Sequence, residues 1–191
     1  ARTIATRLCE RLNYTLIGRE VIEALAADLK IQHQLVESLD EKAKSQLEIM
    51  IGSIMAGRAT EREELNRSLA RVMRTFGMKG GVVVLGRGSS FLLRDLAGLR
   101  VLVTAPEEVR LARVMASRSL SEAEALALLR SSERDRRAFI RQVFDADMHD
   151  PRNYDLCLNT ASITPDDAVD LILLALERRG FPESRLRMPP G

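Results

Sequence analysis

Two short apolar runs most narrowly limit what this 191-residue chain can fold into. Val82-Val83-Val84-Leu85, and Arg100 to Thr104 (RVLVT), show no alternation of polar and apolar residues. Such strands need cover on both faces, which is the situation of a parallel sheet packed between helices. Gly80-Gly81 leads into the first run and Gly86-Arg87-Gly88 closes it. Tyr154 to Leu158 is a third candidate strand. Helical stretches separate the three. Pro106 opens one, with Glu107 and Glu108 in the first turn, where a helix dipole favours acids. Ser121, with Glu124 three residues on, forms a capping box that opens a long charged helix to about Phe144. Pro165, followed by Asp166 and Asp167, opens the last, which ends at Gly180. Strands alternating with helices predict an α/β fold whose three strands are parallel neighbours in one sheet.

The first 76 residues read as helix throughout. Ile4, Leu8 and Leu12 recur every four residues, and Asn13 stops that helix. A second runs from about Arg19 to Leu29, with Val21, Ile22, Leu25, Ala26 and Leu29 on one side. A third covers Asp40 to about Met55, capped by Ser38 or Asp40. Thr60 and Glu63 form a capping box for a fourth that reaches about Phe76. No strand is expected here. With no internal repeat and no low-complexity linker, we expect one domain over 1–191: helical to 76, a sheet core from 81, a long charged helix over about 121–145, and a loose tail over 181–191. Domains of this class ordinarily lead with a strand, so a strand and its loop are expected upstream of Ala1.

Composition removes several functions. Apolar residues at 46% against 29% charged argue against disorder. No apolar run approaches the roughly 20 residues of a membrane helix, and no secretory signal is visible. Cys9 and Cys157 are too few for a disulfide framework or a zinc site, so reduced thiols and a cytoplasmic location are expected. A net charge of +2 and seven aromatic residues count against a nucleic-acid module. The positive charge is 25 arginines and 4 lysines. An arginine-favouring genome explains that, and so does recognition of phosphate or carboxylate by the planar guanidinium fork. Placement has to decide.

Two placements stand out. Gly86-Arg87-Gly88 follows a buried strand directly, where ligands of open α/β sheets sit. Gly86 and Gly88 would let backbone amides approach an anion while Arg87 clamps it; the other reading is a tight turn with a solvated arginine. On the charged helix, Arg130, Arg134, Arg137 and Arg141 advance by four, three and four. At about 100° per residue they form a stripe roughly 60° wide. Leu129, Phe139, Ile140 and Val143 lie on a separate apolar face. The stripe is either a solvated face, with Glu133 and Asp145 offsetting the repulsion, or a clamp for a polyphosphate. His33 and His149 stand alone and are read as structural.

Four segments together resemble the cytidylate kinase-like family of P-loop nucleoside monophosphate kinases. Arg2-Thr3-Ile4-Ala5-Thr6-Arg7-Leu8 is similar to the helix after that family's phosphate-binding loop. Val83-Val84-Leu85-Gly86-Arg87-Gly88 is similar to its strand and Gly-Arg-Gly turn, and Glu133-Arg134-Asp135-Arg136-Arg137 to its lid helix. Asp150-Pro151, Tyr154-Asp155-Leu156 and Asn159-Thr160 are similar to its last strand and exit. The resemblance implies a three-layer P-loop NTPase-like fold with a helical lid, and phosphoryl transfer from ATP, with Mg²⁺, to a nucleoside monophosphate. By that pattern Arg134 and Arg137 are catalytic, on the phosphates. Arg87, Arg141, Gly86 and Gly88 hold the acceptor, while Arg2, Thr3 and Arg130 hold the ATP, Thr3 supporting the metal. Ala1 stands where other members carry the loop lysine, and in relatives of this branch an arginine follows that position, as Arg2 does here. Ala138 and Gly88 stand where other cytidylate kinases carry aspartates, the former linked to reading cytosine. A nucleotide sensor of the same fold without catalysis is the alternative function, and a homo-oligomer is left open.

Overall fold

A left-handed Asn13 (φ 54, ψ 43) stops α1 (Arg2–Leu12), as expected, and turns the chain into β1 (Thr15–Ile17). The computed structural model describes residues 1–27, 29–54 and 61–180. Four helices follow β1: α2 (Arg19–Ala27), α3 (Leu29–Glu37), α4 (Glu41–Ile54) and α5 (Glu61–Lys79). Then come β2 (Val82–Val84), the one-turn α6 (Ser89–Leu92), β3 (Val101–Thr104), α7 (Glu107–Arg118) and α8 (Glu122–Phe144). A 3-10 turn (Pro151–Asn153), β4 (Leu156–Asn159) and α9 (Pro165–Arg178) complete it. This is a mixed α/β fold, mostly helical, with short parallel sheets. Among the described residues no helix is long and apolar enough to cross a membrane.

The sheet corrects the sequence reading in two places. The stretch before residue 76 holds a strand after all. β1 pairs in parallel with β2, Thr15 opposite Val82 and Ile17 opposite Val84. Three residues are too few to display a pattern. The expected single sheet is instead two parallel ladders, β1-β2 and β3-β4, the second pairing Val101 with Leu156 and Thr104 with Asn159. The reason lies in the edges. Thr15 N–H donates to the Gly81 carbonyl and Leu85 N–H to that of Ile17, each at 3.0 Å. That register aims the Val83 backbone at β1 and turns the amides and carbonyls of Val82 and Val84 to the other edge. Likewise Leu156 N–H meets the Arg100 carbonyl at 3.2 Å and Thr160 N–H that of Thr104 at 2.8 Å. Val101 and Val103 therefore face away from β4. No described strand joins these two free edges.

Cover on two faces is nevertheless present. Val83, Val101, Val103 and Leu156 pack against Ile4, Leu8 and Leu12 of α1 and Val169 and Ile172 of α9. Val82 and Val84, pointing the other way, pack with Ile22, Leu69, Met73, Leu92 and Phe144. β2 is thus clad by helices above and below.

Helix boundaries follow local chemistry. Asp40, not Ser38, caps α4: Ala43 N–H donates to Asp40 Oδ1 at 2.8 Å, whereas the Ser38 hydroxyl turns to the Leu35 carbonyl at 2.6 Å. The Ser121–Glu124 capping box forms as expected, and α9 carries a second one, Thr164 with Asp167. Pro106 is the residue before α7 rather than its first. α5 runs past Phe76 to Lys79, where Gly80 and Gly81, both left-handed, end it. The helix expected to reach Leu29 ends at Ala27, and α3 was not anticipated. Its buried position is filled by Gln32, which breaks the apolar pattern. The last strand begins at Leu156, because the Tyr154 hydroxyl donates to the Met148 carbonyl at 2.7 Å and Asp155 is held by Arg100. Thr60 and its capping box, and the tail from 181, lie outside the described residues.

Candidate functional site

Three consecutive left-handed residues, Gly86 (φ 83), Arg87 (φ 54) and Gly88 (φ 71), turn the chain sharply at the carboxyl end of β2. Left-handed backbone is strained for any residue with a Cβ, so Arg87 is held there by its surroundings. Its guanidinium pairs with Glu23 of α2. Burial first, and then the nearby Arg19, lower its pKa. Its Nε is buried and has no hydrogen-bond partner among the described residues.

Arg87 also lines a shallow, mostly apolar cleft between α5 and α8, with free space of only about 20 Å³. Leu69, Met73, Phe139 and Phe144 supply apolar walls, and Asn66 is the other polar side chain there. The Asn66 amide makes no hydrogen bond among the described residues. Sequence reasoning missed Asn66 and Glu23, since neither belongs to a motif. The two glycines differ. Gly86 is open, whereas Gly88 lies under Phe144 and Ile140 of α8.

At the start of α1, Arg2 pairs with Glu20 of α2 at 3.2 Å, and Thr3 is exposed with no described partner. The first turn carries no acid. Arg113 of α7 faces this end. Its Nη1 donates to Thr160 Oγ1 at 2.8 Å and its Nη2 to the Thr160 carbonyl at 2.6 Å. The Arg113 charge lies close enough to act on the Ala1 end of α1. Arg113 was also missed, although Arg110 and Arg113 sit three apart on the helix after a buried strand, a spacing that places both on one face.

The arginine stripe on α8 is exposed to solvent. Arg130 is tied to Glu107 of α7 at 3.0 Å, and that hydrogen bond raises its pKa. The other three meet acids only loosely: Arg134 with Asp135 at 3.9 Å, Arg137 with Glu133 at 3.8 Å and Arg141 with Asp145 at 3.7 Å. Arg134 and Arg137 keep 77% and 61% of their side chains in solvent. The opposite, apolar face of α8 is buried at Leu129 and Ile140, as expected. The structure therefore brings Arg87 against α2 and the apolar face of α8. The ion pairs of the stripe are confined to α7, α8 and Asp145, and none reaches Arg87 or the start of α1.

What is present can hold anions at three places: the Arg87 cleft, the start of α1 with Arg113, and the stripe. A helix start without acids suits phosphate oxygens. A Mg²⁺ ion that keeps most of its ligands from water and phosphate would need little more than the Thr3 hydroxyl.

A family model described as the cytidylate kinase-like family matches residues 1–162. The cytidylate kinase of Sulfolobus acidocaldarius is 29% identical over 100 residues, a match that spans 52% of this chain and 55% of that protein. That of Aeropyrum pernix is 29% identical over 127 residues, 66% of this chain and 74% of the relative. The crystal structure of an uncharacterized protein from Eubacterium ventriosum shares the fold, with a TM-score of 0.72 and 19% identity over 93% of this chain and 92% of that one.

Proposed function

Since the chain belongs to the cytidylate kinase-like family, we propose that it transfers a phosphoryl group from ATP to a nucleoside monophosphate. The observation that carries this reading is Arg87. It is an arginine in strained backbone at a strand's carboxyl end, lining a cleft with Asn66, and among the described residues neither its buried Nε nor the Asn66 amide has a hydrogen-bond partner. The acceptor's phosphate belongs on Arg87, displacing Glu23. Gly86 leaves room for the phosphate, and Arg141 approaches the acceptor from the stripe.

ATP binds at the start of α1, on Arg2, Thr3 and Arg113, with Arg130 at the margin. Thr3 would hold a Mg²⁺ ion, which when bound would supply neutralisation of charge on the transferring group. Phosphoryl transfer asks mainly for positioning and for cations on the phosphate oxygens. Arg134 and Arg137, exposed and only loosely paired, are the ones free to move onto them as α8 closes and excludes water. The free edges of β2 and β3 support the three-layer P-loop architecture, because one further parallel strand between them would pair both and join the ladders into one sheet.

Phosphotransfer from ATP over a panel of nucleoside monophosphates, run beside thermal melts, tests this. Arg134→Ala and Arg137→Ala should each lower turnover about 10- to 150-fold, the value of a charge-assisted hydrogen bond made in the transition state. Melting temperature should hardly move, since both side chains are exposed. Wild-type turnover in both variants would reduce the stripe to a solvated face. Titration that shows nucleotide binding without any product would instead favour the sensor.

A further inference from the structure

One carboxylate gathers basic side chains from three parts of the chain at the base of the stripe. Glu133, on α8, keeps only 22% of its side chain in solvent. Its Oε2 accepts a 2.6 Å hydrogen bond from Arg110 Nη1 of α7. Its Oε1 lies 3.3 Å from His149 Nε2, in the segment after α8, and 3.8 Å from Arg137 Nη2, one turn along the same helix. The bond from Arg110 is the main cause that holds this carboxyl below its ordinary range, with His149 and Arg136 adding to it. Arg110 Nε is buried without a partner among the described residues.

Arg110 and Arg137 sit on different helices, and Glu133 is the acid that both touch. Two guanidiniums against one carboxylate leave a net positive charge, so the group still attracts an anion. One turn along α7, Arg113 points to Thr160 and the start of α1, which makes α7 the bridge between the stripe and the ATP end. Arg110, already hydrogen-bonded to Glu133, loses less freedom when a ligand arrives, and the looser 3.8 Å pairing keeps Arg137 beside it. The α7–α8 packing does not depend on Glu133 alone, because Arg130 and Glu107 tie the same helices at 3.0 Å.

We propose that Glu133 is a positioning residue, whose carboxylate sets Arg110 and Arg137 as one polyphosphate-binding pair across the α7–α8 junction. This rests on the phosphoryl-transfer reading above. Calorimetric titration with inorganic tripolyphosphate, on wild type, Glu133→Gln and Glu133→Asp, reads the pair without catalysis; steady-state kinetics supply the two KM values. Glu133→Gln should weaken tripolyphosphate about tenfold or more and raise KM for ATP alike, with KM for the acceptor unchanged. Glu133→Asp should recover part of the loss. In an Arg137→Ala background, Glu133→Gln should cost distinctly less than it does alone. Should Glu133→Gln melt below the assay temperature, Arg110→Lys carries the measurement: it keeps the charge, loses the fork, and must still weaken tripolyphosphate. Unchanged or tighter binding by Glu133→Gln, or an equal rise in both KM values, overturns the proposal alone. Wild-type protein that binds neither tripolyphosphate nor ATP overturns the phosphoryl-transfer reading and this proposal with it.

Discussion

Gly86 and Gly88 share a left-handed backbone but not their surroundings. A Cβ on Gly86 would meet nothing within 4 Å, whereas one on Gly88 would lie 2.7 Å from Phe144 Cε2 and 3.1 Å from Ile140 Cδ1. Gly86→Ala therefore adds only backbone strain, about 1 kcal/mol. Gly88→Ala adds overpacking against α8 as well, for about 2–4 kcal/mol in all. Urea unfolding of the two variants checks this. Equal losses would mean that α8 does not bear on the turn. Gly-Arg-Gly in the sequence announces the turn, and it did so correctly. That one glycine faces open space while the other seats an aromatic ring from a distant helix is a tertiary fact, which no local pattern carries. Asn66 and Glu23 were illegible for the same reason, each being a single polar residue on a helix that gains meaning only from what folds beside it.

Among the elements, α5 and α8 show two kinds of polar anchoring with different consequences. Arg74 of α5 is 1% exposed. Its Nη1 and Nη2 donate to Asp95 at 2.8 and 2.9 Å, and Nη1 also to the Leu92 carbonyl at 2.8 Å, which ties α5 to the segment after α6. Asp95→Ala would leave a buried guanidinium without its counter-charge, at a cost of about 2–3 kcal/mol because Asp95 itself is half exposed and the Leu92 carbonyl still accepts from Nη1. Ser121→Ala, which removes an exposed cap of α8, should cost about 1 kcal/mol. Thermal or urea melts of both decide the ranking, and an Asp95 variant no worse than the cap variant would mean that water reaches Arg74. The cheaper device was the legible one. Ser121 and Glu124 announce themselves by a spacing of three, because a capping box is local. The Arg74–Asp95 pair and the β1–β2 ladder join residues far apart in sequence, so neither had a signature to find. Strand identity at Val82 and Val101 was readable because continuous apolar character survives in a few residues. The parallel partnership of β3 and β4 was readable from the helices between them, whereas β1 and its pairing with β2 were not.

Across the whole molecule, β3, β4 and α9 meet at a single acid, Asp155. Its Oδ2 accepts from the Arg100 backbone N–H at 2.8 Å and from Arg100 Nε at 3.0 Å, and its Oδ1 from Arg100 Nη2 at 2.9 Å. Arg179, just past α9, adds an ion pair at 2.9 Å. The hydrogen bonds from Arg100 are the leading cause that lowers this carboxyl from 3.8 to about 2. Because the folded value lies below the unfolded one, the acid contributes fully above about pH 4, and its contribution is lost as pH falls from there towards 2. A shift of this size is worth about 2 kcal/mol. Asp155→Asn should lower stability by about that amount at pH 7, and the gap from wild type should close between pH 4 and 2. Asp95 and Glu133, also held low by arginines, are present in both proteins and cancel in the difference. Unfolding free energies of the two proteins, measured in urea at steps of pH from 7 to 2.5, give that difference directly. A gap that stays constant across the range would mean that Asp155 joins the ladder to α9 through packing rather than charge.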